Sequence, residues 1–151
     1  MPIGPVALTT VKVHLGGFFY LGNCLVSWHS KKQNCVSLST VEAEYIVTGS
    51  NCTQLLWMRQ MLADYGMSQS VMTIFCDNTS AINISKNPVQ HSRTKHIGIR
   101  HHFIRELVED GIIHLDFIST QDQKADILTK PLDTLRFEFL RRSIGLIAIE
   151  P

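Results

Sequence analysis

Hydrophobic and polar positions alternate at once near the start of the chain, where Val11, Val13 and Leu15 are separated by Lys12 and His14. That period of two, within the β-branched stretch 5–15 (PVALTTVKVHL), predicts a strand. Gly16-Gly17 predicts a break. FFYL at 18–21 and CLVSWH at 24–29 predict two short strands turned as a hairpin at Gly22-Asn23. The polar run Lys31-Lys32-Gln33-Asn34 extends the return strand to an exposed tip, and CVSL at 35–38 again patterns as strand. The period then changes. Ser39 and Glu42 have capping-box spacing, and a long helix is predicted from about Thr40 to Tyr65, stopped at Gly66. VMTIFC at 71–76 is a compact apolar run closed by Asp77-Asn78, which predicts a buried strand with a polar end. TSAINISK at 79–86 predicts a short helix ending at Asn87-Pro88.

A basic loop, QHSRTK at 90–95, leads to an amphipathic helix at 96–109 with Ile99, Phe103, Leu107 and Val108 on one side. Beyond the Asp110-Gly111 turn, IIHLDFI at 112–118 predicts a strand. ADILTK predicts a short helix that ends at Pro131. The stretch 132–146 reads as helix, with Leu135, Phe139 and Leu140 packing and Arg136, Arg141 and Arg142 in water. The order β-β-β-α-β-α-α-β-α predicts an α/β fold. Its sheet is mixed, the first three strands antiparallel and the later ones parallel, with helices on the faces.

Composition narrows the class. A chain of 151 residues with 44% hydrophobic and 18% charged residues is globular and large enough for one real core. A net charge of +1 gives no whole-molecule attraction for nucleic acid, so such binding must rest on a local patch. Cys24, Cys35, Cys52 and Cys76 form no C-x-x-C pair, and they read as reduced core thiols of an intracellular protein, cytoplasmic or nuclear. No apolar run reaches spanning length, and the start lacks the pattern of a signal peptide.

Three acidic residues are candidates for chemistry. Asp77 closes a buried strand, and the carboxyl ends of strands are where α/β sheets usually place their sites. Asp126 opens a helix, and Glu44 lies in the first turns of the long helix. Converging carboxylates with no His or Cys partner select hard cations such as Mg²⁺ or Mn²⁺. Two such ions ~4 Å apart assist phosphodiester cleavage. Each residue also has a plainer reading: Asp126 as a helix cap, Asp77 as a turn residue, Glu44 as a solvated helix residue. Glu42 competes with Glu44. Residues two apart on a helix point about 200° apart, and periodicity does not choose between them.

Other features carry less. His91, His96, His101 and His102 lack the i,i+4 spacing of a helical zinc pair. Lys31, Lys32, Arg93, Lys95, Arg100 and Arg105 form the best local basic set. Trp28 and Trp57 read as core or sheet-face aromatics. No Ser-His-Asp or Cys-His arrangement stands out.

LVSWHSKKQ (25–33), LSTVEAEY (38–45), CDNTSAINISKNPVQHSRTKHI (76–97), IRHHFIRE (99–106) and KADILTKPL (124–132), in this order, resemble the ribonuclease H domain of Ty1/copia-type retrotransposon polyproteins abundant in plants. The resemblance runs from Gly16 to about Gly145. It implies a ribonuclease H fold, a five-stranded mixed sheet flanked by helices. It also implies metal-dependent hydrolysis of the RNA strand of an RNA/DNA hybrid, with water as nucleophile. Four carboxylates are implied as ligands of Mg²⁺ or Mn²⁺. Three match here: Glu44 in Ala43-Glu44-Tyr45, preferred over Glu42; Asp77 in Asp77-Asn78; and Asp126 in Ala125-Asp126. Lys31, Lys32, Asn78, Arg93, Lys95 and Arg100 are the implied nucleic-acid contacts.

The fourth carboxylate, an Asp on the first strand, has no match. MPIGPVALTTVKVH contains no Asp or Glu, and the first acidic residue of the chain is Glu42. The expected organisation is an altered segment at 1–15, a ribonuclease H-like domain at 16–146 and a tail at 147–151. Either the domain was cut from a longer polyprotein or its start was replaced, in which case PVALTTVKV fills the first-strand position without a ligand. Three carboxylates hold a cation more weakly than four, so reduced or absent hybrid cleavage is expected. The alternative class is a non-catalytic nucleic-acid-binding or protein-interaction module on the same fold.

Overall fold

A computed structural model describes residues 7–10, 14–22, 24–32, 40–67, 71–86 and 98–149. The strands are β1 (Ala7–Thr10), β2 (His14–Leu21), β3 (Cys24–Lys32), β4 (Met72–Cys76) and β5 (Ile113–Phe117). The helices are α1 (Thr40–Asp64), α2 (Thr79–Lys86), α3 (Gly98–Glu109) and α4 (Thr134–Ser143), with a 3₁₀ helix at Lys124–Leu128. The α/β expectation holds. The strands form one sheet in the order β3-β2-β1-β4-β5. β1 is antiparallel to β2 and parallel to β4, and β4 is parallel to β5. Ala7–Thr10 therefore lies at the centre of the sheet.

The expected break at Gly16-Gly17 is absent. β2 runs through both glycines, because cross-strand pairing holds them on either side: Gly17 with Thr10 of β1 and with His29 of β3, and Gly16 with Ser30. Tertiary pairing here overrides the weak strand propensity of glycine. The hairpin turn is as expected at Gly22, whose φ of 64° suits a residue without a Cβ. The strand expected at 35–38, the capping Ser39 and the basic loop 90–95 lie outside the described residues.

Helix α1 is buried nearly all round in its first half, from Ala43 to Gly49. It ends as the sequence predicts: Gly66 adopts φ 73°, and Met67 N donates to Leu62 O at 2.8 Å, closing a Schellman-type stop. Gly49 faces α3: a Cβ there would make ordinary contact, at 3.5 Å, with Ile104 Cδ1. Phe19, Tyr45, Leu55, Ile74, Ile104 and Leu115 belong to the main core between α1–α3 and one sheet face. Each such side chain stabilises the fold by roughly 1.5–3 kcal/mol on burial. Phe18 and Tyr20 pack with Ala125 and Ile144 in a second cluster on the other face. Adjacent Phe18 and Phe19 thus serve opposite layers, as strand alternation requires.

Several packing expectations are corrected. Trp28 and Trp57 are 65% and 58% exposed, so neither is a core residue; Trp28 lies on β3, which leaves its sheet-face reading standing, whereas Trp57 lies on α1. Leu135 and Phe139 are exposed; of the three residues expected to pack, Leu140 alone is buried, joined one turn on by Ile144 at the C-cap. Cys24 is exposed, whereas Cys52 and Cys76 are buried thiols. Burial pushes the Cys52 thiol up to about 12. Since the thiolate is the reactive form, a short maleimide pulse on the native chain is expected to modify Cys24 and spare Cys52. Peptide mass mapping checks this, and equal labelling would contradict the packing of Cys52.

Candidate metal centre

The carboxyl end of β4 positions the candidate site. Met72, Ile74 and Cys76 alternate into the core, and the parallel ladder to β5 is extended when Ile118 N donates to Cys76 O at 3.0 Å. Asp77 follows directly. Asn78 then anchors the next element: its Oδ1 accepts from Ser80 N at 3.0 Å and Ala81 N at 3.2 Å, capping α2. Asp77 is therefore held between a strand end and a capped helix. Among the nucleic-acid contacts implied by resemblance, Asn78 has this capping task for its carbonyl oxygen.

Glu44 reaches the same place from α1. It is 0% exposed, and Thr48 Oγ1 donates to its main-chain carbonyl at 2.9 Å. The side-chain ligand atoms of Glu44, Cys76 and Asp77 all lie within 4.8 Å of one another. The Cys76 thiol donates to Glu44 Oε2 at 3.9 Å. Asp77 is 9% exposed, and neither carboxylate oxygen has a hydrogen-bond partner among the described residues. Two buried acids this close repel each other, and a buried ionised oxygen without a partner is costly. A bound divalent cation relieves both, so Glu44 and Asp77 fit a metal. The side chain of Glu42 lies outside the described residues.

Asp126 is placed differently. It is 4% exposed and lies in the 3₁₀ helix, outside the Glu44–Cys76–Asp77 group. Lys130 Nζ stands 2.9 Å from its carboxylate, one helical turn on. Removing that ammonium leaves a buried carboxylate without its cation. Lys130→Met is therefore expected to lower unfolding free energy by roughly 1–3 kcal/mol, measured by urea denaturation in metal-free buffer; an unchanged midpoint would show that the pair contributes nothing.

Of the remaining implied contacts, Lys31 and Lys32 lie on β3 and Arg100 on α3, with side chains outside the described residues, as are Arg93 and Lys95 altogether. Sequence patterning did not single out Cys76 or Lys130. The signals were present: a cysteine directly before the strand-end acid, and a lysine at i+4 from Asp126. Among the described residues, no helix is long and apolar enough to cross a membrane.

Known proteins show where such a chain occurs. No protein-family model matches it. It is 40% identical over 135 residues to the retrovirus-related Pol polyprotein from transposon TNT 1-94 of Nicotiana tabacum, covering 89% of this chain and 10% of that one. It is 42% identical over 137 residues to the corresponding polyprotein from transposon RE2 of Arabidopsis thaliana, covering 90% and 9%. The chain thus spans about a tenth of the length of the curated relatives it matches. Among solved structures, the N-terminal RNase H domain of a Mycobacterium tuberculosis protein, fused to maltose-binding protein, superposes with a TM-score of 0.55. The identity is 8%, covering 93% of this chain and 99% of that one, a likeness that shows the fold.

Proposed function

We propose that this chain, a ribonuclease H-like relative of one segment of plant retrovirus-related transposon Pol polyproteins, binds a divalent cation and an RNA/DNA hybrid but hydrolyses the RNA strand poorly. The observation that carries the reading is the convergence of Glu44 and Asp77, two buried acids from different elements, with both Asp77 oxygens lacking hydrogen-bond partners among the described residues. Mg²⁺ or Mn²⁺ is the ion such oxygen donors select. Asp126 is the third ligand by resemblance. When bound, the cation supplies Lewis acidity toward water and the phosphodiester.

The rest falls to the chain itself. β4 and the capped α2 fix Asp77, while α1 presents Glu44 from the packed core. Lys31, Lys32, Arg93, Lys95 and Arg100 supply positive charge for phosphates, with Asn78 beside the metal site. Within the segment 1–15, Ala7–Thr10 takes the central strand position, the segment carries no carboxylate, and that is the source of the impairment. The ribonuclease H-like resemblance runs over 16–146, the fold includes the strand before it, and 147–151 is the tail.

One observation favours a second reading, a non-catalytic nucleic-acid-binding module. Lys130 neutralises Asp126, so one expected ligand already has a cation of the chain's own. A single assay series separates the two: residual metal-dependent cleavage that Asp77→Asn removes favours the impaired enzyme, and cleavage no different from the Asp77→Asn control favours the binding module. With a labelled RNA/DNA hybrid in Mg²⁺ or Mn²⁺, binding is expected to weaken steeply with salt and cleavage to stay near background. Salt-insensitive binding would remove the phosphate groove. Robust turnover abolished by Asp77→Asn would show an intact enzyme and overturn the impairment.

A further inference from the structure

We propose that Cys76 is a further ligand of the Glu44–Asp77 site and tunes it toward thiophilic divalent ions such as Zn²⁺ and Co²⁺. This rests on the metal-binding reading of Glu44 and Asp77 and adds a donor that the carboxylate set does not contain. Cys76 is the last residue of β4, so its backbone is fixed by the sheet. Its sulfur is held at the site by two neighbours. Asn78 N donates to Sγ at 3.4 Å, and the thiol faces Glu44 Oε2 at 3.9 Å.

The three ligand atoms lie within 4.8 Å of one another. Donors about a tetrahedral ion with metal–oxygen and metal–sulfur bonds of about 2.0–2.3 Å are separated by roughly 3.5 Å, so a small contraction suffices. The second, independent observation is Asp77: more than nine-tenths buried, with two oxygens that no described group satisfies. A thiol serving the core alone leaves that carboxylate unexplained, whereas a shared ion accounts for both.

Coordination exchanges the Sγ–H bond for an Sγ–metal bond and releases the proton to solvent. Carboxylates alone favour Mg²⁺ or Mn²⁺, and an added thiolate shifts preference toward softer ions. Zn²⁺ then competes with Mg²⁺ at this site instead of substituting for it in a neutral way.

The test uses the full chain carrying Cys24→Ser and Cys35→Ser, which leaves the buried Cys52 and Cys76 as its thiols. Titration with Co²⁺ is expected to produce a thiolate-to-cobalt charge-transfer band, and Cys76→Ser to abolish it. Zn²⁺ affinity is expected to fall about tenfold or more in that variant, while Mn²⁺ binding, followed by electron paramagnetic resonance, persists. Should Cys76→Ser fail to fold, zinc-edge X-ray absorption on the parent chain reports directly whether sulfur is bound. Mn²⁺ bound with no metal–sulfur signal from Co²⁺ or Zn²⁺ overturns the role of Cys76 and leaves the carboxylate site standing. A band that survives Cys76→Ser overturns it as well. No bound metal of any kind overturns both readings.

Discussion

The Asp77→Asn protein is expected to melt higher than the parent in metal-free buffer and to lose the rise in Tm that Mn²⁺ gives the parent. Asp77 is buried beside Glu44, and its two oxygens have no hydrogen-bond partner among the described residues. An unsatisfied buried group costs roughly 1–3 kcal/mol, more when charged. Asparagine removes the charge and offers an amide donor to Glu44. For a chain of this length, 1 kcal/mol moves Tm by about 2–4 °C, so a gain of about 3–10 °C is expected. In the parent, Mn²⁺ at a hundred times its Kd adds about 2.7 kcal/mol, a comparable upward shift that the variant lacks. A gain in metal-free buffer that Mn²⁺ cancels is hard to obtain from a purely structural residue. A variant that melts at or below the parent and still responds to Mn²⁺ would remove Asp77 from the site.

Thr10→Asp is expected to raise hybrid cleavage by roughly a hundredfold or more over the parent. Thr9 pairs with Phe75 in the parallel β1–β4 ladder, and Thr10 is the last residue of β1. It therefore lies at the end of the first strand that runs alongside the carboxyl end of β4, where Asp77 follows. The resemblance assigns a carboxylate to that strand, and none is present. Metal-assisted charge stabilisation contributes several kcal/mol, and each 1.36 kcal/mol is about a factor of ten in rate. Successive strand residues take opposite faces, so Thr9→Asp is the out-of-phase control and is expected to gain nothing. Initial rates on a labelled hybrid decide it. A folded, Mn²⁺-binding Thr10→Asp protein with no gain would show that the missing acid is not what limits turnover.

Most of the elements were legible because their signals were local. The run MTIFC, the stop at Gly66 and the hairpin at Gly22 each follow from periodicity or from one residue's backbone freedom. The passage of β2 through Gly16-Gly17 was not legible, since it depends on partners on both sides. The last helix was legible, and so was the burial of Leu140, but Leu135 and Phe139 are exposed. They match a helical stripe on hydrophobicity alone, and only tertiary packing, such as that of Ile144 in the second cluster, fixes which face is covered. At the site, sequence chemistry offered Asp77, Asp126 and either Glu44 or Glu42, and resemblance favoured Glu44; Glu44 and Asp77 come together, whereas Asp126 lies outside their group. The thiol beside them and the lysine at Asp126 are relations across space, which strand alternation and helical spacing hint at without fixing.

β3 forms one edge of the sheet, is nine residues long, and exposes Val26 and Trp28. An edge strand with apolar side chains invites a second chain to add to it, and lysine is a common deterrent. Lys31-Lys32 ends this strand. If these two residues attract phosphates as proposed, the same lysines would also guard this edge against self-association, and a polyanion that neutralises them would remove the guard. Neutral substitutions made there to probe binding then carry a risk of aggregation.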